Sequence, residues 1–331
     1  MPPLRLRFRF LFMKWSLRYL YSPAQAPLAC LLGFPLSGPN LNCQPFATQA
    51  STLFRSYGLS VPPRVYTPAF SPIPPNVSLH RNICLDPGEG LSLPLHASSS
   101  SALLAHMLES SYPGSVHIYT DGSRSSEGSV SAGVYIPSLS LATGWLLSPS
   151  HTVMGAELFA ISKALEITLS REEFQSKPVV IITDSRSSLY LIRNTYRPAY
   201  TSMIFKIQLL LLQKGLNSVS LCWVKSHSGV RGNEIADRVA NLAHGADKSS
   251  RSTLCFRESL CQLKKSFLIQ WKEHWHREVA STNTGRFRLS LEDSINYTDY
   301  SGLSRKIQCA VARLRLGHAG VGAHRARFGM A

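Results

Sequence analysis

Two apolar runs of this chain end alike. "VHIYTDGSR" at 116–124 and "VVIITDSRS" at 179–187 each stop on Thr-Asp, which puts Asp121 and Asp184 at the close of strand-like segments. Taken singly, either aspartate has an ordinary explanation, because Asp followed by Gly or Ser is a common turn former. Taken together they pose a charge problem. Ligands of open α/β sheets gather outside the carboxyl ends of the strands, and two carboxylates delivered there repel unless something positive lies between them. The question is what that positive thing is, and whether more carboxylates point at it.

Two further acids are candidates for the same place. "GAELFAISKALEITL" reads as a helix in which Ile161, Leu165 and Thr168 share the face of Glu157, so Glu157 opens the stripe that packs on the sheet. A carboxylate buried there must be paired, metal-bound or protonated. One that still reaches water would simply be stabilised by the helix dipole. In "WVKSHSGVRGNEIADRVA" at 223–240 a polar loop carries His227, Asn233 is placed to cap a helix, and Asp237 follows four residues later. Alone, these are an ordinary loop histidine and an ordinary helix aspartate.

The elements that must position these residues form a recognisable series. Strands are expected at 116–121, 129–136 and 141–147, then a helix at 155–170, a strand at 178–183 and a helix at 186–194. A helix within 200–214, a strand at 218–224 and a helix at 231–246 follow. Three close strands and then alternating helix and strand imply an α/β fold with a mixed sheet, antiparallel first and parallel after. Residues 1–115 read as a basic, Pro/Ser-rich connector, partly helical near 102–110. Residues 116–248 read as the folded domain. Residues 249–331 read as a basic, mostly helical region in which "LCQLKKSFLIQWKEHWHRE" is a basic amphipathic helix.

The 331 residues carry a formal charge of +16, which favours a polyanionic partner. The excess is uneven: +5 over 1–115, +3 over 116–248 and +8 over 249–331. An acid-bearing centre between basic flanks suits a carboxylate site held within a nucleic-acid-binding chain. The seven cysteines include no C-x-x-C pair, which excludes a disulfide scaffold or zinc ribbon and makes an intracellular compartment, cytoplasm or nucleus, the expectation. No apolar run reaches the roughly 18 residues that a membrane span needs. The Arg- and aromatic-rich first 21 residues fit a mitochondrial transit peptide or, as the favoured reading, a basic amphipathic connector. Asn76 and Asn296 match the glycosylation pattern but carry no weight without a secretory signal.

In order, "IYTDGSR", "GAELFAISKAL", "IITDSRS" and "WVKSHSGVRGNEIADRVA" resemble the four catalytic blocks of type-1 ribonuclease H, over about 116–246. The resemblance implies the RNase H-like fold, a five-stranded mixed sheet flanked by helices. It also implies an endonuclease that hydrolyses the RNA strand of an RNA/DNA hybrid with Mg²⁺, for which Mn²⁺ can substitute. Carried over position by position, the acidic tetrad falls on Asp121, Glu157, Asp184 and Asp237, and the loop histidine on His227. Two Mg²⁺ ions about 4 Å apart activate a water and neutralise the leaving oxygen. On this pattern Asp121 bridges both ions, with Glu157 and Asp184 on one side and Asp237 on the other. His227 assists proton transfer or product departure.

The same resemblance makes Gly122, Ser123, Ser185 and Asn233 candidate substrate contacts. Gly122 and Ser123 would stand near the RNA minor groove, where the 2′-hydroxyl marks RNA, and Glu157 would accept a hydrogen bond from that hydroxyl. The family's extra basic handle is not evident within the domain. "IQWKEHWHRE", "NTGRFRLSL" and "VARLRLGHAGVGAHRARFG" further resemble the region after ribonuclease H in reverse-transcriptase proteins of non-LTR retrotransposons. That implies a carboxyl-terminal fragment whose parent supplies a reverse-transcriptase domain, since no Asp-Asp polymerase motif occurs here. His318 and His324 read as helix-end contacts, not as a metal site. Two alternatives stay open: a non-catalytic nucleic-acid-binding module of the same architecture, and a transposase or integrase-type nuclease. The His-loop-"GNEIAD" block speaks against the second.

Overall fold

A computed structural model of the protein describes residues 4–21, 46–60, 72–74, 77–86, 100–194, 201–246, 250, 252–280, 302 and 304–309. Asn76, Asn296, His318 and His324 lie outside the described residues, as do about half of the 1–115 connector and most of the Arg-rich carboxyl end.

The first Thr-Asp strand is the middle of the sheet. β2 (Val116–Arg124) pairs antiparallel with β3 (Val130–Ile136), which pairs antiparallel with β4 (Leu141–Leu147). On its other side β2 runs parallel to β5 (Val179–Thr183), and β5 runs parallel to β6 (Val219–Trp223). The last paired rung of β2 and β5 is Thr120 opposite Thr183. Asp121 and Asp184 are each the next residue, so the register brings both carboxylates to one level; β5 ends there, whereas β2, expected to stop at 121, continues paired with β3 to Arg124.

The sheet has six strands in the order β1-β6-β5-β2-β3-β4, not the expected five. The addition is β1 (Ile83–Cys84), which pairs parallel with Leu221 and Cys222 on the outer edge of β6. Two residues carry too little alternation to announce a strand. Their placement comes from Asn82, whose side chain donates to the Val219 carbonyl at 3.1 Å and whose own carbonyl accepts from Leu221 N–H at 2.7 Å. The pairing covers an edge that would otherwise present bare backbone groups.

At β5 both faces of the sheet are buried, which is why that strand reads as an unbroken apolar run. Val179 and Ile181 pack toward α4 (Val153–Ser170), α5 (Arg186–Arg193) and α6 (Thr201–Lys214) through Leu158, Leu165, Leu189 and Ile207. Val180 and Ile182 pack the other way, against Leu104 and Leu108 of α3 (Ser100–Ser111) and Ala236 of α7 (Arg231–Leu242). α7 lies very close to β3. A Cβ on Gly133 would stand 2.6 Å from the Ala236 carbonyl oxygen and the Ala240 amide nitrogen. Glycine at 133 therefore sets how near Asp237, on that helix, approaches the sheet.

A second, smaller core lies apart from the sheet. Met13 and Leu17 of α1 (Leu4–Leu20) pack with Phe54 of α2 (Phe46–Ser56) and Leu263 of α8 (Phe256–Ala280). The Arg-rich amino-terminal segment is thus a helix with two side chains fully buried against the carboxyl-terminal helix. Among the described residues, no helix is long and apolar enough to cross a membrane.

Candidate metal centre

Asp121, Glu157 and Asp184 come from three elements: β2, the first turns of α4, and the end of β5. Each offers a carboxylate oxygen, and these oxygens all lie within 4.8 Å of one another. Asp121 and Glu157 are 6% exposed, so the cluster is sheltered from bulk water. The close approach of β2 to α4 depends on Gly122, where a Cβ would fall 2.6 Å from the Glu157 amide nitrogen and 3.0 Å from the Ala156 carbonyl carbon. Any larger residue would push β2 and α4 apart.

The electrostatics record the crowding. Burial, then the charges of Asp184 and Asp237, push the Asp121 carboxyl up to about 7, against an ordinary value of 3.8. Burial, then the charges of Asp121 and Asp184, push Glu157 well above the ordinary carboxylate range. The Gly122 amide pulls both back without prevailing. Thr183 Oγ1 is the nearest side-chain donor to Glu157, at a long 3.5 Å. Asp184 is better held: Asn233 Nδ2 donates to its Oδ2 at 3.2 Å, and Trp223 Nε1 donates to its backbone carbonyl at 3.0 Å.

Asp237 stands beside this group, outside the 4.8 Å cluster but near enough for its charge to act on Asp121. Its Oδ1 accepts from Asn241 Nδ2 at 3.0 Å, and Asn241 Oδ1 in turn accepts from Ser123 Oγ at 2.6 Å. Ser123 also meets His244 Nε2 at 3.2 Å, and His244 Nδ1 lies 2.9 Å from Ser129 Oγ. Asn241 and His244 went unremarked in the sequence, because their contacts with β2 and β3 span more than 110 residues. Ser123, expected to face a substrate, is tied into this chain of hydrogen bonds.

His227 sits exposed on the loop between β6 and α7, at a φ of 51°. That left-handed conformation is uncommon outside glycine, though histidine tolerates it better than most residues. α7 starts at Arg231, with Val230 as its N-cap and no side-chain cap. The capping role expected of Asn233 is therefore not realised. Asn233 lies in the first turn, 4% exposed, and turns inward to Asp184, with its Oδ1 buried and unpartnered. Ser185 is the N-cap of α5, with its hydroxyl 2.8 Å from Ser188 Oγ and its amide donating to Thr183 Oγ1 at 3.2 Å.

The donor set has only hard oxygen ligands and converges on one point. It therefore fits a divalent ion of the Mg²⁺ type. The fold is thus an α/β sheet with a cluster of three carboxylates that could hold a metal ion. Residues 113–244 match the RNase H family model.

Solved structures similar to the chain include LC11-RNase H1, isolated from compost by a metagenomic approach, at 18% identity and a TM-score of 0.33. That likeness covers 39% of this chain and 98% of the other. RNase H1 from the halophilic archaeon Halobacterium salinarum NRC-1 is similar at 22% identity and a TM-score of 0.31, over 39% of this chain and 97% of that one. A foamy viral protease-reverse transcriptase, solved in complex with dsDNA, is similar at 23% identity and a TM-score of 0.29, over 40% and 94%. No curated protein matches the chain.

Proposed function

We propose that this protein is an endoribonuclease that hydrolyses the RNA strand of RNA/DNA hybrids with the help of two divalent ions, Mg²⁺ or Mn²⁺. The observation that carries the reading is the convergence of Asp121, Glu157 and Asp184 within 4.8 Å, inside a segment matching the RNase H family. Asp121, Glu157 and Asp184 would hold the ions, and Asp237, steered by Asn241, would close the site from the α7 side. When bound, such ions supply an activated water and neutralise charge at the scissile phosphate.

The chain's own groups do the rest. Asn233 and Trp223 keep Asp184 from turning away. Gly122 would let backbone approach the RNA minor groove, and Glu157 would accept from a 2′-hydroxyl, which DNA lacks. The imidazole of His227, exposed on its loop, can carry a proton between the site and solvent. The resemblance of the flanks to reverse-transcriptase proteins supports a hybrid made by reverse transcription inside the cell as the natural substrate. Asp184→Asn tests the reading: the variant keeps hybrid binding in chelator and loses metal-dependent cutting. Unchanged cutting would overturn it.

A further inference from the structure

A groove of about 960 Å³ opens between α4, α5 and α8, beside the carboxylate cluster and separate from it. Arg186, Arg193 and Arg257 line it with Tyr190, Val153 and Met154. It borders the metal centre from two directions. Arg186 is the second residue after Asp184, and Val153 lies one helical turn before Glu157.

The arginines are held and lack acidic partners. The Arg186 guanidinium stacks over the Trp223 ring, 5.2 Å from its centroid, while that indole donates to the Asp184 carbonyl. Arg193 lies 5.7 Å from the Tyr190 ring centroid, and its Nε is buried with no hydrogen-bond partner. Among the described residues, no carboxylate comes within ion-pair distance of any of the three. Planar guanidinium groups in a fixed arrangement suit phosphate oxygens, and an exposed tyrosine offers a face for sugar or base.

Arg257 comes from α8, outside the segment that matches the family model. Its neighbour Glu258 fixes it in place. The Glu258 carboxylate accepts from the Thr152 amide at 2.9 Å and from the Cys255 amide at 2.8 Å, and lies 3.2 Å from His151 Nδ1. The start of α8 is thereby locked to the amino terminus of α4, and Arg257 is left exposed toward the groove.

We propose that α8 belongs to the nucleic-acid surface of this protein, with Arg257, Arg186 and Arg193 seating the phosphate backbone of the substrate alongside the metal centre. This rests on the nuclease reading and extends it to a helix beyond the domain. The test measures binding of the full-length chain to an RNA/DNA hybrid in chelator across a series of salt concentrations, then steady-state cleavage in Mg²⁺. Arg257→Gln is expected to weaken binding about fivefold and to make the salt dependence shallower by about 0.7–0.9 in log–log slope, the share of one phosphate contact. It should raise KM with kcat unchanged.

Lys272→Gln removes the same charge from the same helix, about 22 Å further along, and should leave binding as in the parent chain. Wild-type affinity and slope in Arg257→Gln, or an equal loss in Lys272→Gln, would overturn the proposal. A parent chain that binds the hybrid and never cuts it would refute the nuclease reading, while the binding comparison still decides the groove.

Discussion

The molecule buries carboxylates in two places and treats them in opposite ways. Burial, the largest influence on Glu258, pushes its pKa up, yet the hydrogen bond and charge of His151 and the amides of Cys255 and Thr152 outweigh it and hold the group below its ordinary value. In the carboxylate cluster, Asp121 and Glu157 are similarly enclosed, have only the Gly122 amide and a distant hydroxyl, and are pushed up. The first acid is paired and serves to join α8 to α4. The second group is left in mutual repulsion, which only an added proton or cation relieves. Fold stability alone would not retain such a cluster, whereas a divalent metal site requires it.

The largest expected effect breaks the cluster. Replacing Asp184, or Asp121, by the isosteric Asn should lower Mg²⁺-dependent cleavage on the order of 10³-fold, since charge stabilisation at the reacting phosphate is lost. Single-turnover cleavage of a labelled hybrid measures this. The converse holds for folding. Glu258→Gln takes the charged acceptor from the buried Thr152 and Cys255 amides and should cost roughly 2 kcal/mol, the range for hydrogen bonds to a charged group. Asp121→Asn, which removes repulsion, should leave metal-free stability unchanged or raised. Denaturant titration in chelator compares the two, and an equal loss in both would erase the distinction between these regions.

A smaller effect is expected on the α7 side. His227→Ala should slow turnover about 100-fold or less, with little change in thermal stability, because the side chain is exposed. The pH dependence of metal binding sharpens the same contrast. Between about 4 and 7 the folded protein holds a proton on Asp121 that the unfolded chain has released. By linkage, metal-free stability therefore falls as pH rises through that window. A cation replaces that proton, so Mg²⁺ should raise Tm more at about pH 8 than at about pH 5, as thermal-shift measurements would show. An equal rise at both values would mean that the cluster is not the binding site.

Much of this was legible in the sequence where local pattern and chemistry coincide. An apolar run that ends on an acid shows both the strand and its carboxylate, and Glu157 betrayed itself by opening an apolar helical face. What escaped was tertiary. β1 is two residues held by Asn82, and no periodicity can mark it. Asn233 looks like a cap from its spacing, but α7 begins two residues earlier, which turns its amide inward to Asp184. The Asp237–Asn241–Ser123–His244 chain and the Glu258–His151 contact join residues more than 100 positions apart. Arg257 reads as one basic residue among many until α8 is seen against α4.

The assignment of Asp121, Glu157 and Asp184 as a metal site for cutting RNA in hybrids is a proposal. It is tested most directly by incubating the protein with labelled RNA/DNA, RNA/RNA and DNA/DNA duplexes, with Mg²⁺ and with chelator. Cleavage confined to the RNA strand of the hybrid and abolished by chelation is the expected result. Binding to the hybrid with no cleavage in Mg²⁺ or Mn²⁺, or cutting that survives chelation, would contradict it.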